Sequence, residues 1–250
     1  MEFVKSSDAA TTRGSTLVLP SVSVGNVPQL AVDLLVNTLQ AAQIGILDSA
    51  LAIPVSGPGG FDHLPERRLV PVEVYQSADG KWTIVQQRSP PLPGRHRAFA
   101  QELVDFIRQG EFARVVLLAS SDAALRPDAL IEGPQIRLLA VNWPDEELAG
   151  RLQELSLGLL GAPSAAKQEP LKQLHAAGAA KHLLRLLGDT SIPTVALVAL
   201  VSEGDNVPDA IRLASAANAL LEIAPGATGW RAPQSWQWLG GPADPPSELY

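Results

Sequence analysis

The tract Val24-Gly25-Asn26-Val27-Pro28 returns late in the chain as Gly204-Asp205-Asn206-Val207-Pro208, and each copy stands between an apolar run and an amphipathic one. Upstream lie Thr16-Leu17-Val18-Leu19-Pro20-Ser21-Val22-Ser23 and Thr194-Val195-Ala196-Leu197-Val198-Ala199-Leu200-Val201. Both are short, continuous and rich in β-branched residues, as strands buried on both faces are. Each strand is expected to run straight into a helix. Asn26 and Asn206 supply side chains that can accept from a first-turn N–H, and Pro28 and Pro208 sit where a missing donor costs nothing. A strand, a Gly-Asn turn and a helix, present twice, predict an α/β domain built on a parallel sheet.

The chain has 250 residues, enough for one such domain, and 46% apolar against 18% charged residues leaves ample material for a core. Its formal charge of −7 argues against a sequence-independent grip on nucleic acid, which needs clustered Lys and Arg to replace phosphate counterions. With no cysteine, disulfides and thiolate metal sites are excluded. No run approaches bilayer length and the first residues lack the apolar segment of a secretory signal, so the chain is expected in the cytoplasm, with the nucleus as a second location.

Further helices are predicted over residues 28–40, where Leu30, Leu34, Leu35 and Leu39 form one face opposite Gln29, Asp33 and Asn37, and over 95–109, 145–160, 178–187 and 209–223. Residues 72–75 and 82–86 flank Asp79-Gly80 and read as a β-hairpin. Residues 44–47 and 51–55 look like an irregular extended segment, 56–68 a surface loop, and 114–121 another buried strand. Residues 122–144 give no clear pattern, and 161–164 read as a linker. The expected fold is therefore a single α/β domain over residues 1–225, its central sheet largely parallel and flanked by helices on both faces. Residues 226–250, with Trp230, Trp236 and Trp238 among prolines and glycines, follow as an extended C-terminal segment and tail.

Three blocks carry a family resemblance: residues 17–35 around Val24-Gly25-Asn26-Val27-Pro28, residues 201–210 around Gly204-Asp205-Asn206-Val207-Pro208, and Pro233-Gln234-Ser235-Trp236 with the aromatic end of the chain. Together with Ala113 to Ser121 and Gly178 to Leu184, they resemble the family of proteasome assembly chaperone 2. The resemblance implies a noncatalytic chaperone without cofactor or metal. Such a chaperone would form a heterodimer with proteasome assembly chaperone 1 and sit on the outer face of the α ring of the 20S core, promoting correct ring assembly and blocking premature regulator docking. It also implies that the C-terminal tail enters a groove between α subunits, with Leu249 and Tyr250 as the leading contacts and Trp236 as a lesser one. The family of activator tails it would imitate places tyrosine next to last, whereas Tyr250 is the last residue here.

The alternative is an α/β hydrolase or nucleotide-binding enzyme using the strand-end turns at 23–28 and 202–209, since helix N-termini favour anions and ligands collect at strand ends. Against it, the chain has no G-x-G-x-x-G tract, no phosphate loop with its lysine, no nucleophile elbow, and four histidines in no metal-binding spacing. Gly25, Asn26, Pro28, Gly204, Asp205, Asn206 and Pro208 are accordingly read as structural turn residues. Ser120-Ser121-Asp122 is read as a turn and helix cap.

Overall fold

The computed structural model describes residues 1–6, 11–143, 155, 157–160 and 169–238. Nine strands form one sheet: β1 (Glu2–Lys5), β2 (Thr16–Pro20), β3 (Ala42–Asp48), β4 (Val72–Gln76), β5 (Trp82–Gln87), β6 (Arg114–Asp122), β7 (Ile136–Val141), β8 (Gly158–Leu159) and β9 (Thr194–Val201). Their order is β1-β3-β4-β5-β2-β6-β9-β7-β8. The four central strands β5, β2, β6 and β9 run parallel. An antiparallel wing of β4, β3 and β1 extends one side, and β7 joins β9 antiparallel on the other.

Strand chemistry explains this layout. In β9 every residue is buried. Val195 and Leu197 point to one face of the sheet and Ala196, Val198 and Leu200 to the other, so the strand needs helices on both sides. On one face lie α1 (Val27–Leu39) and α5 (Val207–Leu221), and on the other α2 (His96–Gln109) and α4 (Ala180–Gly188), with the single turn α3 (Glu169–Lys172) leading into α4. The α/β domain with helices on both faces is thus the observed architecture. The Asp79-Gly80 hairpin forms as read, with Gly80 at φ 71° and Ser77 donating to Asp79 Oδ1 at 2.6 Å. In β3 the irregularity is a bulge between Gln43 and Gly45, where a Cβ on Gly45 would meet Phe3 and the Val4 carbonyl.

Elsewhere the structure departs from the sequence reading. The stretch without a clear pattern contains β7, whose partner β9 lies almost sixty positions downstream, so no local signal announces it. Of the helix expected over 145–160, residues 145–154 and 156 lie outside the described residues. Gly158–Leu159 is a short strand parallel to β7. The linker at 161–164 also lies outside the described residues. Residues 51–55 form only one isolated bridge, Ala52 to Pro91. Ser120 and Ser121 are strand, not turn: β6 runs on through Asp122, whose carboxylate then caps the next turn by accepting from Ala124 N at 2.9 Å.

Candidate functional site

The repeated turns lie side by side at the carboxyl ends of β2 and β9. Between β2 and α1 a single 3-10 turn, Val24–Asn26, intervenes, and both Gly25 (φ 68°) and Asn26 (φ 52°) are left-handed. Gly25 N donates to Glu203 Oε1 at 3.3 Å, and a Cβ on Gly25 would stand 2.5 Å from Asn206 Nδ2. Glycine is therefore required at Gly25 both for its φ and for the contact between the turns. Neither asparagine caps its helix. In the left-handed conformation Asn26 cannot aim Oδ1 at the first turn, and it accepts instead from Gln29 Nε2 at 3.1 Å. Asn206 donates back to the Gly204 carbonyl at 3.0 Å, and Asp205, one residue earlier, accepts from Val207 N at 3.2 Å. Pro28 and Pro208 occupy the first turns as expected.

This arrangement bears on the enzyme reading. A carboxylate of the chain itself occupies the Gly25 N–H to which an anion would bind. The neighbouring serine hydroxyls are likewise engaged: Ser23 and Ser120 bond each other at 2.8 Å, Ser120 donates to the Val24 carbonyl at 2.6 Å, and Ser21 donates to the Ala177 carbonyl at 2.8 Å. These bonds tie the ends of β2, β6 and the loop before α4 into one unit. Among the described residues no three His, Asp or Glu side chains gather as a metal site.

The more unusual chemistry lies where α1 meets β4, β5 and the residue that follows β5. Gln29, Asp33 and Asn37, read as the face opposite the leucines, are buried. Asp33 sits 2.7 Å from Arg88 Nη1, and Arg88 Nε reaches Glu73 Oε2 at 3.0 Å, with side-chain exposures of 7%, 15% and 2% for the three. Gln86 Nε2 donates to Asp33 Oδ1 at 2.7 Å and the guanidinium lies over the Phe61 ring. Burial pushes the Glu73 carboxyl above its usual range against the opposing charge of Arg88. The Tyr75 phenol is also raised, by burial and by the charge of Glu73. Two carboxylates on one cation, largely out of water, make a group whose members depend on one another.

What covers this cluster is the C-terminal segment. Residues 230–236, read as the start of a tail, are laid across α1 and α5. Trp230 Nε1 donates to Ser215 Oγ at 2.8 Å, Arg231 N donates to Thr38 Oγ1 at 3.0 Å, and Asn37 Nδ2 donates to the Arg231 carbonyl at 2.9 Å. Gln234 N then donates to Asp62 Oδ1 at 2.7 Å, and Trp236 Nε1 to Asp33 Oδ2 at 3.2 Å. Trp236 thus rests on the chain's own surface, half-buried against the core on the α1 side. Leu249 and Tyr250 lie outside the described residues. Neither the sequence pattern of α1 nor that of the tail reveals this strap, because its partners are about 200 positions away; the one signal is three polar residues at helical spacing facing a tryptophan-rich segment. Trp236→Ala is expected to lower stability by about 2 kcal/mol, through lost apolar burial and the unpaired Asp33 oxygen, and to speed tryptic cleavage at Arg231, read by urea titration and limited proteolysis.

A sheet with helix pairs on both faces, with interlocked strand-end turns and a C-terminal strap, defines a two-sided α/β domain. The model of the PAC2 family matches residues 17–235, taking in both turns and the strap to Ser235. The chain is 31% identical to a protein of Danio rerio named proteasome assembly chaperone 2, over 98% of each chain, and 34% identical to one of the same name from Nematostella vectensis, over 84% of this chain and 90% of that one. It belongs to the PAC2 family. Among solved structures it is similar to PbaA of Pyrococcus furiosus, described as an archaeal homolog of proteasome-assembly chaperone, with a TM-score of 0.61 at 18% identity over 85% of this chain and 84% of that one. It is also similar to PbaB of the same organism, described as an archaeal proteasome activator, with a TM-score of 0.62 at 17% identity over 88% of each chain.

Proposed function

We propose that this protein is a noncatalytic proteasome assembly chaperone that pairs with proteasome assembly chaperone 1 and binds the outer face of the 20S α ring, in the cytoplasm and the nucleus. In this role it promotes correct ring formation and holds off regulators until the core is complete. The observation that carries the reading is the relationship over nearly the whole chain to proteins named proteasome assembly chaperone 2. The strap is consistent with it: by holding Trp236 against Asp33 it fixes the point from which residues 239–250 depart. Leu249 and Tyr250 then present apolar area and a phenol to a groove between α subunits, the manner in which a short chain segment gains specificity from a few anchored side chains.

Affinity purification of the tagged chain from cells, followed by mass spectrometry, is expected to recover proteasome assembly chaperone 1 and α subunits in comparable amounts; recovery of neither rejects the reading. Removing Leu249 and Tyr250 is expected to weaken binding to the α ring about tenfold while leaving the melting temperature unchanged. Unaltered affinity in a purified binding assay would remove the tail from the account and leave the pairing in place.

A further inference from the structure

We propose that the pocket between the first turns of α2 and α4 docks an acidic peptide segment of a partner protein, whose carboxylates are held by Arg97 and Lys181. The pocket has a volume of about 520 Å³, with His96 and Arg97 on one wall, Lys181 and His182 on the other, and Leu174 and Ala177 as an apolar floor. Four basic side chains share this space in a chain whose formal charge is −7. Among the described residues neither Arg97 nor Lys181 has a carboxylate partner. The crowding of like charge is felt by His182, held below its usual pKa by partial burial and by the charges of Arg185, His96, Arg97 and Lys181.

The helices add to the same field. Neither α2 nor α4 has a capping side chain or an acidic residue in its first turn. Basic residues there oppose the helix dipole, which favours negative charge at that end. Both helices carry this unfavourable arrangement at one pocket, and an anionic ligand relieves it. The location also fits. The loop forming the floor is bonded to the carboxyl ends of β2 and β6, through Val24 N to the Ala176 carbonyl at 3.2 Å and Asp122 N to the His175 carbonyl at 2.9 Å. From these adjacent parallel strands the chain leaves in opposite directions, β2 toward β3 and β6 toward β7. Open α/β sheets carry ligands at such a point. The volume exceeds that of a single oxyanion, Arg97 is exposed at the rim, and the floor is apolar. These features suit a segment that alternates carboxylates with apolar side chains.

The assignment does not depend on the proteasome reading and is tested without it. A fluorescein-labelled peptide alternating glutamate and leucine is titrated with the purified full chain at low salt and followed by anisotropy. Binding is expected, weakening as salt rises. R97E/K181E is expected to reduce affinity at least about tenfold. K5E/R13E, which changes the net charge equally at the end of β1 and in the turn before β2, at residues that do not line the pocket, is expected to leave it unchanged. Because R97E/K181E places acids at two helix N-termini, its melting temperature is expected to rise by about 2–4 °C. Should that variant nevertheless unfold, R97Q/K181Q replaces it, with affinity at least about threefold below the unsubstituted chain. No binding by the unsubstituted chain, equal loss in K5E/R13E, or undiminished binding by folded R97Q/K181Q each overturns the proposal. Inorganic phosphate that binds the pocket, by calorimetry, while the peptide does not would also overturn it and assign a free oxyanion instead.

Discussion

Arg88→Met is expected to lower the free energy of unfolding by about 3–5 kcal/mol near neutral pH, the cost of removing one partner from a buried charge group and stranding the others. Methionine keeps an unbranched apolar stem against Phe61, so the loss reports charge and hydrogen bonding more than packing. Asp33 and Glu73, which Arg88 joins at 2.7 and 3.0 Å, would face each other across a site with little water. The pH dependence carries a definite sign. A carboxyl whose pKa is higher in the folded chain binds more protons there between its unfolded and folded pKa values, so stability falls as pH rises through that interval. Glu73 is such a group already, raised by burial with Arg88 pulling the other way. Removing Arg88 removes the opposing pull and extends the interval upward. The deficit of the variant should therefore shrink as the pH is lowered toward the mildly acid range, where Glu73 takes a proton. Urea titrations at several pH values decide it, and a deficit independent of pH would show that packing dominates. The charge-neutral combination R88M/D33N/E73Q is expected to recover part of the loss, since no ion remains buried.

Gly178→Ala is the second large effect, about 3 kcal/mol, from a left-handed residue that must now carry a Cβ and from the clash this creates. Gly178 has φ 59°, and its Cβ would overlap the Val22 carbonyl oxygen and approach Ser21 Oγ. The same Ser21 hydroxyl donates to the Ala177 carbonyl and accepts from Ala180 N, so the substitution would push the start of α4 away from the end of β2. Backbone, not a flexible side chain, is what stands in the way, and little of the cost can be relaxed. Gly226→Ala is an informative comparison. It too has a positive φ, 77°, but nothing within 4 Å of the added Cβ. It should cost about 1–2 kcal/mol from conformation alone. The difference between the two, measured by thermal or urea unfolding, isolates the contact with β2.

Much of the fold is legible in particular residues. The alternation of β9 and its neighbours fixes which side chains meet each helix layer, and Asp79-Gly80 marks its hairpin without any tertiary information. The recurring Gly-Asn-Val-Pro tracts correctly mark the places where strands turn into helices, and Pro28 and Pro208 stand in the first turns. That Asn26 and Asn206 do not cap their helices is not readable from residue order, because capping depends on the backbone conformation at the turn, which is left-handed at Asn26. The polar face of α1 misled for a related reason. Helical spacing assigns Gln29, Asp33 and Asn37 to the side away from the sheet. In the fold Asp33 instead meets Gln86 of β5 and Arg88, and Trp236 closes over it, because the way a helix is rolled onto its sheet is set by partners distant in sequence.

From residue order alone this protein is determined to be an α/β chain with buried parallel strands, two strand-to-helix turns of the same chemistry, and an aromatic, proline-rich end. Periodicity, propensity and turn chemistry are local, acting over a few residues. Tertiary structure alone decided that β7 lies against β9, that Glu203 fills the Gly25 amide, that Trp236 seals Asp33 and its charged partners, and that two basic helix starts open into one pocket. Those four are contacts between groups distant in sequence. Their energies come from removing charges and apolar surface from water together, which happens only once the chain has closed on itself.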